Sequence, residues 1–211
     1  MSSGRFISFE GGEGVGKSTQ AAMLVHFLQE RGLQVVHTRE PGGTHGAEAV
    51  RALLLDSDID WHPRAEALLF AAARADHTFS KIAPALGRGH WVVCDRYLDS
   101  SRAYQGGGEG VSDDEILALH QIGSHGLLPD LTILLAGDEE NIAARIISRD
   151  GDESDRIGGR DASYHRGVAK RFNTIATGEP ERFIVVQADG SADNVHRRVV
   201  HALAPLLGEG G

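Results

Sequence analysis

The chain has one cysteine, Cys94, and three lysines, Lys17, Lys81 and Lys170, in 211 residues. A single cysteine excludes an internal disulfide and any metal centre built on several thiolates. Cys94 lies in an apolar run and reads as a small buried residue. No apolar stretch approaches the length of a membrane span, and Met1-Ser2-Ser3-Gly4 lacks the charge and apolar pattern of a secretory leader. The expected compartment is therefore the cytoplasm. The formal net charge is -9, which argues against a general nucleic-acid or membrane-surface binder. The histidines are scattered, without the spacing of a metal motif. There is no repeat and no low-complexity linker, so one domain over 1–211 is expected.

Against these absences stands one dense motif. Gly11-Gly12-Glu13-Gly14-Val15-Gly16-Lys17-Ser18 fits the pattern G-x-x-x-x-G-K-[ST]. Its glycines let consecutive backbone N–H groups turn toward phosphate oxygens, its lysine adds a point charge, and its hydroxyl suits Mg²⁺. A short apolar run, Phe6 to Phe9, precedes it, and a helical pattern from Ser18 to Glu30 follows. That strand–loop–helix context separates a phosphate loop from an accidental glycine turn.

Further apolar runs at Leu33–Val36, Trp91–Cys94, Leu131–Leu135 and Phe183–Val186 read as strands. Helical patterns lie between them at 47–55, 64–86, 113–123, 139–148, 163–177 and 192–207. The alternation predicts an α/β fold with a five-stranded parallel sheet flanked by helices. Ligands of such sheets bind at the carboxyl ends of strands, so the phosphate loop, the Arg39–Thr44 loop and Asp95-Arg96 should face one crevice.

Trp91-Val92-Val93-Cys94-Asp95 is an apolar strand ending in an acid. Such an Asp helps to hold Mg²⁺, directly or through water, although a turn or helix-cap Asp has the same local pattern. Arg39, Arg51 and Arg96 are forked permanent cations suited to a phosphate acceptor; each alone would equally fit a surface ion pair. Phe70 and Arg74 share one helical face and could meet a nucleobase, or be a core aromatic beside a solvated cation. Ala103 to Gly108 reads as a polar, flexible junction in which the Gln105 amide could read a base edge.

Taken together these segments resemble the thymidylate kinase family of the nucleoside monophosphate kinase group of P-loop proteins. The resemblance is carried by FEGGEGVGKST (9–19), TREPGGT (38–44), VRALLLD (50–56), LLFAAARADH (68–77), CDRYLDSSRAYQGGG (94–108), PDLTILL (129–135) and SDRI (154–157), in the family's order. It implies a P-loop NTPase fold with a short lid at about 149–161, a homodimer, and transfer of phosphate from ATP to dTMP with Mg²⁺ on Ser18 and Asp95. Gly11 through Thr19 would hold ATP. Glu13 would face the acceptor 3′-hydroxyl, while Arg51 and Arg96 would grip the 5′-phosphate. Phe70 would stack on thymine, Arg74 would bond its edge, and Tyr104 would crowd the 2′ position. Gln105 would approach the base, and Ser101 and Arg39 complete the dTMP set. Lys17, Arg96, Asp95, Glu13 and a lid arginine, Arg156, form the implied catalytic group, with Arg149 and Arg160 nearby. The resemblance also implies a cis bond at Glu40-Pro41. The chain departs from the family at Ala136, at Gly158, and in acids at Asp150, Asp152, Glu153 and Asp155. Another nucleotide kinase would share the phosphate loop but not TREPGGT and AYQGGG; a non-catalytic nucleotide-binding module would be expected to lose the acceptor arginines.

Overall fold

The computed structural model describes residues 4–107, 110–137 and 160–208. Five strands form one parallel sheet: β1 (Phe6–Glu10), β2 (Val35–Arg39), β3 (Trp91–Asp95), β4 (Leu131–Ala136) and β5 (Phe183–Gln187), in the order β2-β3-β1-β4-β5. Strand β1 is central, and all five of its residues are buried. Its side chains alternate between two apolar layers. Ile7 and Phe9 join Leu24, Leu28, Val93, Ile133, Val199 and Leu203 on one face. Phe6 joins Ile82, Val92, Cys94, Tyr97, Leu98 and Ile116 on the other. Burying each large side chain contributes about 1.5–3 kcal/mol, so the two-faced core fixes the strand register firmly.

The helices are α1 (Lys17–Glu30), α2 (His45–Leu55), α3 (Pro63–His77), α4 (Ala83–Gly87), α5 (Leu98–Tyr104), α6 (Asp113–Ser124), α7 (Ala162–Gly178) and α8 (Ala192–Leu207). Thr44, Ser112, Asp161 and Ser191 cap α2, α6, α7 and α8 by accepting backbone N–H groups, as short polar side chains do at helix starts.

Three expectations need correction. The long helix expected over 64–86 is interrupted by a π-helical turn at Thr78–Ile82, just before Pro84, whose ring nitrogen cannot donate to the preceding turn. Strand β2 starts two residues later than expected, because Gly32 takes a φ of 78° and Leu33 closes the end of α1 by donating to the Leu28 carbonyl. The expected flexible junction at 103–108 begins inside α5, with Ala103 and Tyr104 buried. Asp and Ser are poor helix formers, so local sequence undersells this helix; tertiary contacts hold it. The helix expected at 139–148 lies outside the described residues.

The register sets the site. Phe9 pairs with Asp95 and Ile7 with Val93, so β1 and β3 end side by side, and the loop after β1 emerges next to Asp95-Arg96. Arg39 at the end of β2 pairs with Asp95 from the other side.

Candidate active site

The loop after β1 curls as its glycines allow. Gly11 has φ 138°, and a Cβ there would lie 2.6 Å from the Leu135 carbonyl oxygen. Gly16, at φ 99°, turns the chain into α1. Lys17 folds back over the loop and donates from Nζ to the Gly12 carbonyl at 2.6 Å. Burial, and then the nearby Arg96 cation, lower its pKa to about 8. The Ser18 hydroxyl donates to Asp95 Oδ2. Asp95 Oδ1 is buried with no hydrogen-bond partner among the described residues. A cleft of about 1520 Å³ opens over this loop and is lined by Glu13 through Gln20 together with Arg39, Arg51, Asp95 and Arg96.

A second cleft, about 610 Å³, adjoins it and is lined by Phe70, Arg74, Ser101, Tyr104 and Gln105 with Glu13, Glu40, Arg51 and Arg96. The last four residues line both clefts. Arg96 is the hinge between them. Its guanidinium donates to Glu13 Oε1 at 2.5 Å, to the Gly11 carbonyl at 3.0 Å, to Ser100 Oγ at 2.9 Å and to the Tyr104 hydroxyl at 3.3 Å. Burial opposes its charge, but Glu13, Tyr104, Asp95 and Glu10 more than offset that and raise its pKa. It keeps φ 68°, a left-handed backbone uncommon for any residue but glycine and a mark of strain retained at functional sites. Arg51 donates to the Pro41 carbonyl at 2.8 Å from the first turns after the Glu40–Pro41 bond, which is cis as the resemblance implied.

The residues on which the sequence reading placed dTMP fall together with one exception. Arg39 does not line the smaller cleft; its side chain is 53% exposed and pairs with Glu48 at 3.0 Å. A strand-end arginine points where its nearest carboxylate draws it, and Glu48 on α2 is that carboxylate. Arg149 and Arg156 lie outside the described residues, as does nearly all of the expected lid. Arg160 is described, and it is bonded to Glu66 at 2.8 Å rather than free for phosphate.

Several polar residues of the site went unread in the sequence. Glu40 Oε2 accepts from Arg74 Nε at 2.8 Å, and its Oε1 lies 2.9 Å from His77 Nδ1. His77 Nε2 lies 2.7 Å from Thr38 Oγ1. Arg74 also donates to Ser101 Oγ at 2.7 Å. Arg74 thus arrives in the cleft already clamped, 3% exposed. Glu10 ends β1 fully buried, accepting from the Tyr97 N–H at 2.7 Å and from Ser100 Oγ at 2.6 Å. Burial, and then Asp99, push its carboxyl pKa up. A usable signal was present on α3: Glu66, Phe70, Arg74 and His77 are spaced four, four and three apart, one continuous stripe of the helix.

Chemically, the two clefts place cations on either side of a shared boundary. Lys17 lies in the larger cleft, Arg74 in the smaller, and Arg51 and Arg96 between. This suits two phosphorylated ligands meeting end to end, with an apolar and aromatic wall at the far end of the smaller one.

Comparison with known proteins agrees with this geometry. The family model described as "Thymidylate kinase" matches residues 9–199. The chain is 55% identical over 205 residues to thymidylate kinase of Rhizorhabdus wittichii, covering 97% of this chain and 99% of that one. It is 46% identical to thymidylate kinase of Chromohalobacter salexigens, covering 98% of each. Its fold superposes on the crystal structure of thymidylate kinase from Ehrlichia chaffeensis with a TM-score of 0.76 and 32% identity, over 95% of this chain and 98% of that one. By motif, geometry and likeness together, the chain belongs to the thymidylate kinase family.

Proposed function

We propose that the chain transfers the γ-phosphoryl group of ATP to the 5′-phosphate of dTMP, giving ADP and dTDP. The observation that carries this reading is the boundary shared by the two clefts, where Arg51 and Arg96 serve both. Phosphoryl transfer needs little covalent help; it needs in-line positioning and cancellation of charge. ATP phosphates take the amides of residues 11–19 and exchange the Gly12 carbonyl for their own oxygens at Lys17. The dTMP phosphate takes Arg51 and Arg96. Glu13, bonded to Arg96 and within 3.2 Å of the Tyr104 hydroxyl, faces the sugar. Phe70 and Arg74 receive the base, and Arg156 is assigned as the arginine that completes the site from the lid.

The donor set fits Mg²⁺. Ser18 and Asp95 offer hard oxygen donors, and Asp95 Oδ1 has no hydrogen-bond partner among the described residues. Among the described residues no group of three or more His, Cys, Asp or Glu could hold a metal alone, which suits an ion that keeps waters and substrate oxygens as its remaining ligands. Ser18 and Asp95 would hold it, and bound there it neutralises phosphate charge.

We assign the active form as a homodimer. Helices α3 and α6 pack together and leave Leu68, Phe79 and Ile122 exposed on or beside them, an apolar surface suited to a second copy. No helix among the described residues is long and apolar enough to cross a membrane, and the cytoplasm is the compartment we assign.

The test is kcat/KM at fixed ATP for dTMP, dUMP, dCMP, UMP and AMP. The expected order has dTMP first, dUMP lower for want of the 5-methyl contact, and the others poor. Phe70→Ala should raise the dTMP KM at least tenfold and leave the ATP KM unchanged. UMP or AMP turning over as well as dTMP would overturn the reading.

A further inference from the structure

Three helices meet at a buried carboxylate that phosphoryl transfer does not use. Glu66, one turn before Phe70 on α3, is 3% exposed. Its Oε1 accepts from Gln105 Nε2 at 2.9 Å and its Oε2 accepts from Arg160 Nη2 at 2.8 Å. Arg160 Nη1 donates to the Tyr164 hydroxyl at 2.6 Å, and that hydroxyl donates to the Tyr104 carbonyl at 2.9 Å. The guanidinium carbon lies 4.6 Å from the Tyr164 ring centre. Tyr104 and Gln105, two neighbours in the wall of the smaller cleft, are thus held from behind through one ion pair.

The chemistry of that pair fixes orientation as well as position. A carboxylate only accepts hydrogen bonds, whereas a primary amide donates at one end and accepts at the other. Paired with Arg160, Glu66 receives the NH₂ group of Gln105, and the amide oxygen takes the other side. That oxygen has no hydrogen-bond partner among the described residues, and Gln105 lines the cleft. The wall accordingly presents an acceptor at this point. Thymine and uracil carry an N–H at N3, which is a donor; cytosine carries a lone pair there. Arg160 takes the other carboxylate oxygen, and through Tyr164 it also braces the Tyr104 backbone, so it fixes where the carboxylate sits behind Gln105.

We propose that Glu66 and Arg160 are positioning residues for base selection, holding the Gln105 amide so that its oxygen meets the ring N–H of thymine and opposes the ring nitrogen of cytosine. This rests on the assignment of the smaller cleft to dTMP.

The experiment measures kcat/KM for dTMP and dCMP, the ATP KM and the thermal midpoint for Glu66→Gln, Arg160→Met, Arg160→Lys and Gln105→Leu. Glu66→Gln keeps the side-chain shape but accepts either amide end. It should lower the dTMP-to-dCMP ratio about tenfold, the worth of one good buried hydrogen bond, through the dTMP KM and with the ATP KM unchanged. Arg160→Met, at a partly exposed position that asks the same question without entering the core, should move the ratio in the same direction, and Arg160→Lys should restore most of it. Once Gln105→Leu has removed the amide, Glu66→Gln should have no further effect on the ratio. A folded Glu66→Gln or Arg160→Met enzyme with the parental ratio overturns the proposal. So does an Arg160→Met enzyme that loses kcat at constant dTMP KM, which would put the guanidinium on the transferring phosphoryl group. Failure of the dTMP assignment itself is distinct, since it would appear in the unmodified enzyme as a loss of preference for dTMP.

Discussion

Lys17 is a cation held where burial disfavours its charge, which sets function against stability at one residue. In the proposed mechanism its ammonium meets phosphate charge, so Lys17→Met should lower turnover by about a hundredfold or more. The same change removes a buried charge and leaves a flexible apolar side chain of similar reach. The thermal midpoint of the variant should therefore be equal to or above that of the parent, read in a melt without nucleotide. What was legible at this scale follows from how each ligand is bound. The proposed phosphate site would use consecutive backbone amides, so the whole device is written in eight adjacent letters, Gly11 to Ser18. Glu40, Glu66 and His77 were not legible as site residues, because each acts through a partner far away in sequence. Glu40 meets Arg74 across 34 residues and Glu66 meets Arg160 across 94. A charged residue on a helix reads locally as a solvated one, and only the packed fold reverses that reading.

At the scale of the element, α5 and α6 carry buried polar groups that local propensity does not anticipate. Asp99 on α5 is fully buried and receives both Arg182, at 2.7 Å on each oxygen, and Arg102 at 3.2 Å. These ion pairs hold α5, with Asp99, Ser100 and Ser101 in its first turns and with its last two residues, Ala103 and Tyr104, inside the stretch that the sequence suggested as a loose junction. His120 on α6 bonds the Leu127 carbonyl at 2.9 Å through Nε2, and its Nδ1 is buried without a partner among the described residues. Burial, and then Arg74, depress its pKa from 6.5 to about 4. The unfolded chain thus takes up a proton at His120 below about pH 6.5, and the folded protein does not until about pH 4. Stability present above the upper value is lost as pH falls across that window, by up to about 3 kcal/mol from this residue. Urea titrations at pH 7 and pH 4.5 should give a smaller acid loss for His120→Gln than for the parent. Strands β1, β3, β4 and β5, by contrast, were legible to within one residue at each end. A parallel strand covered on both faces is mostly apolar, and such a short apolar run is visible in the sequence.

For the whole molecule, the sheet order brings the carboxyl ends of β1, β2 and β3 together at the assigned site, to which α3 adds Phe70 and Arg74, while Leu68 of α3 and Ile122 of α6 stay exposed. Ile122 is 78% exposed in the single chain, so an aspartate there costs the monomer little. At a subunit interface the same aspartate would be buried against apolar surface at a cost of several kcal/mol. Light scattering after gel filtration should give a dimer mass for the parent and a monomer mass for Ile122→Asp. An unchanged dimer would place the interface elsewhere.

The central position of β1 has a consequence for the chain as it is made. Of the five described strands Phe6–Glu10 leaves the ribosome before the others, yet its neighbours are β3, ending at Asp95, and β4, beginning at Leu131. Translation runs at roughly 5–20 residues per second, so this apolar segment waits on the order of ten seconds with both edges unpaired. During that interval the nascent polypeptide offers chaperones, or other nascent chains, the very strand around which the finished kinase is assembled.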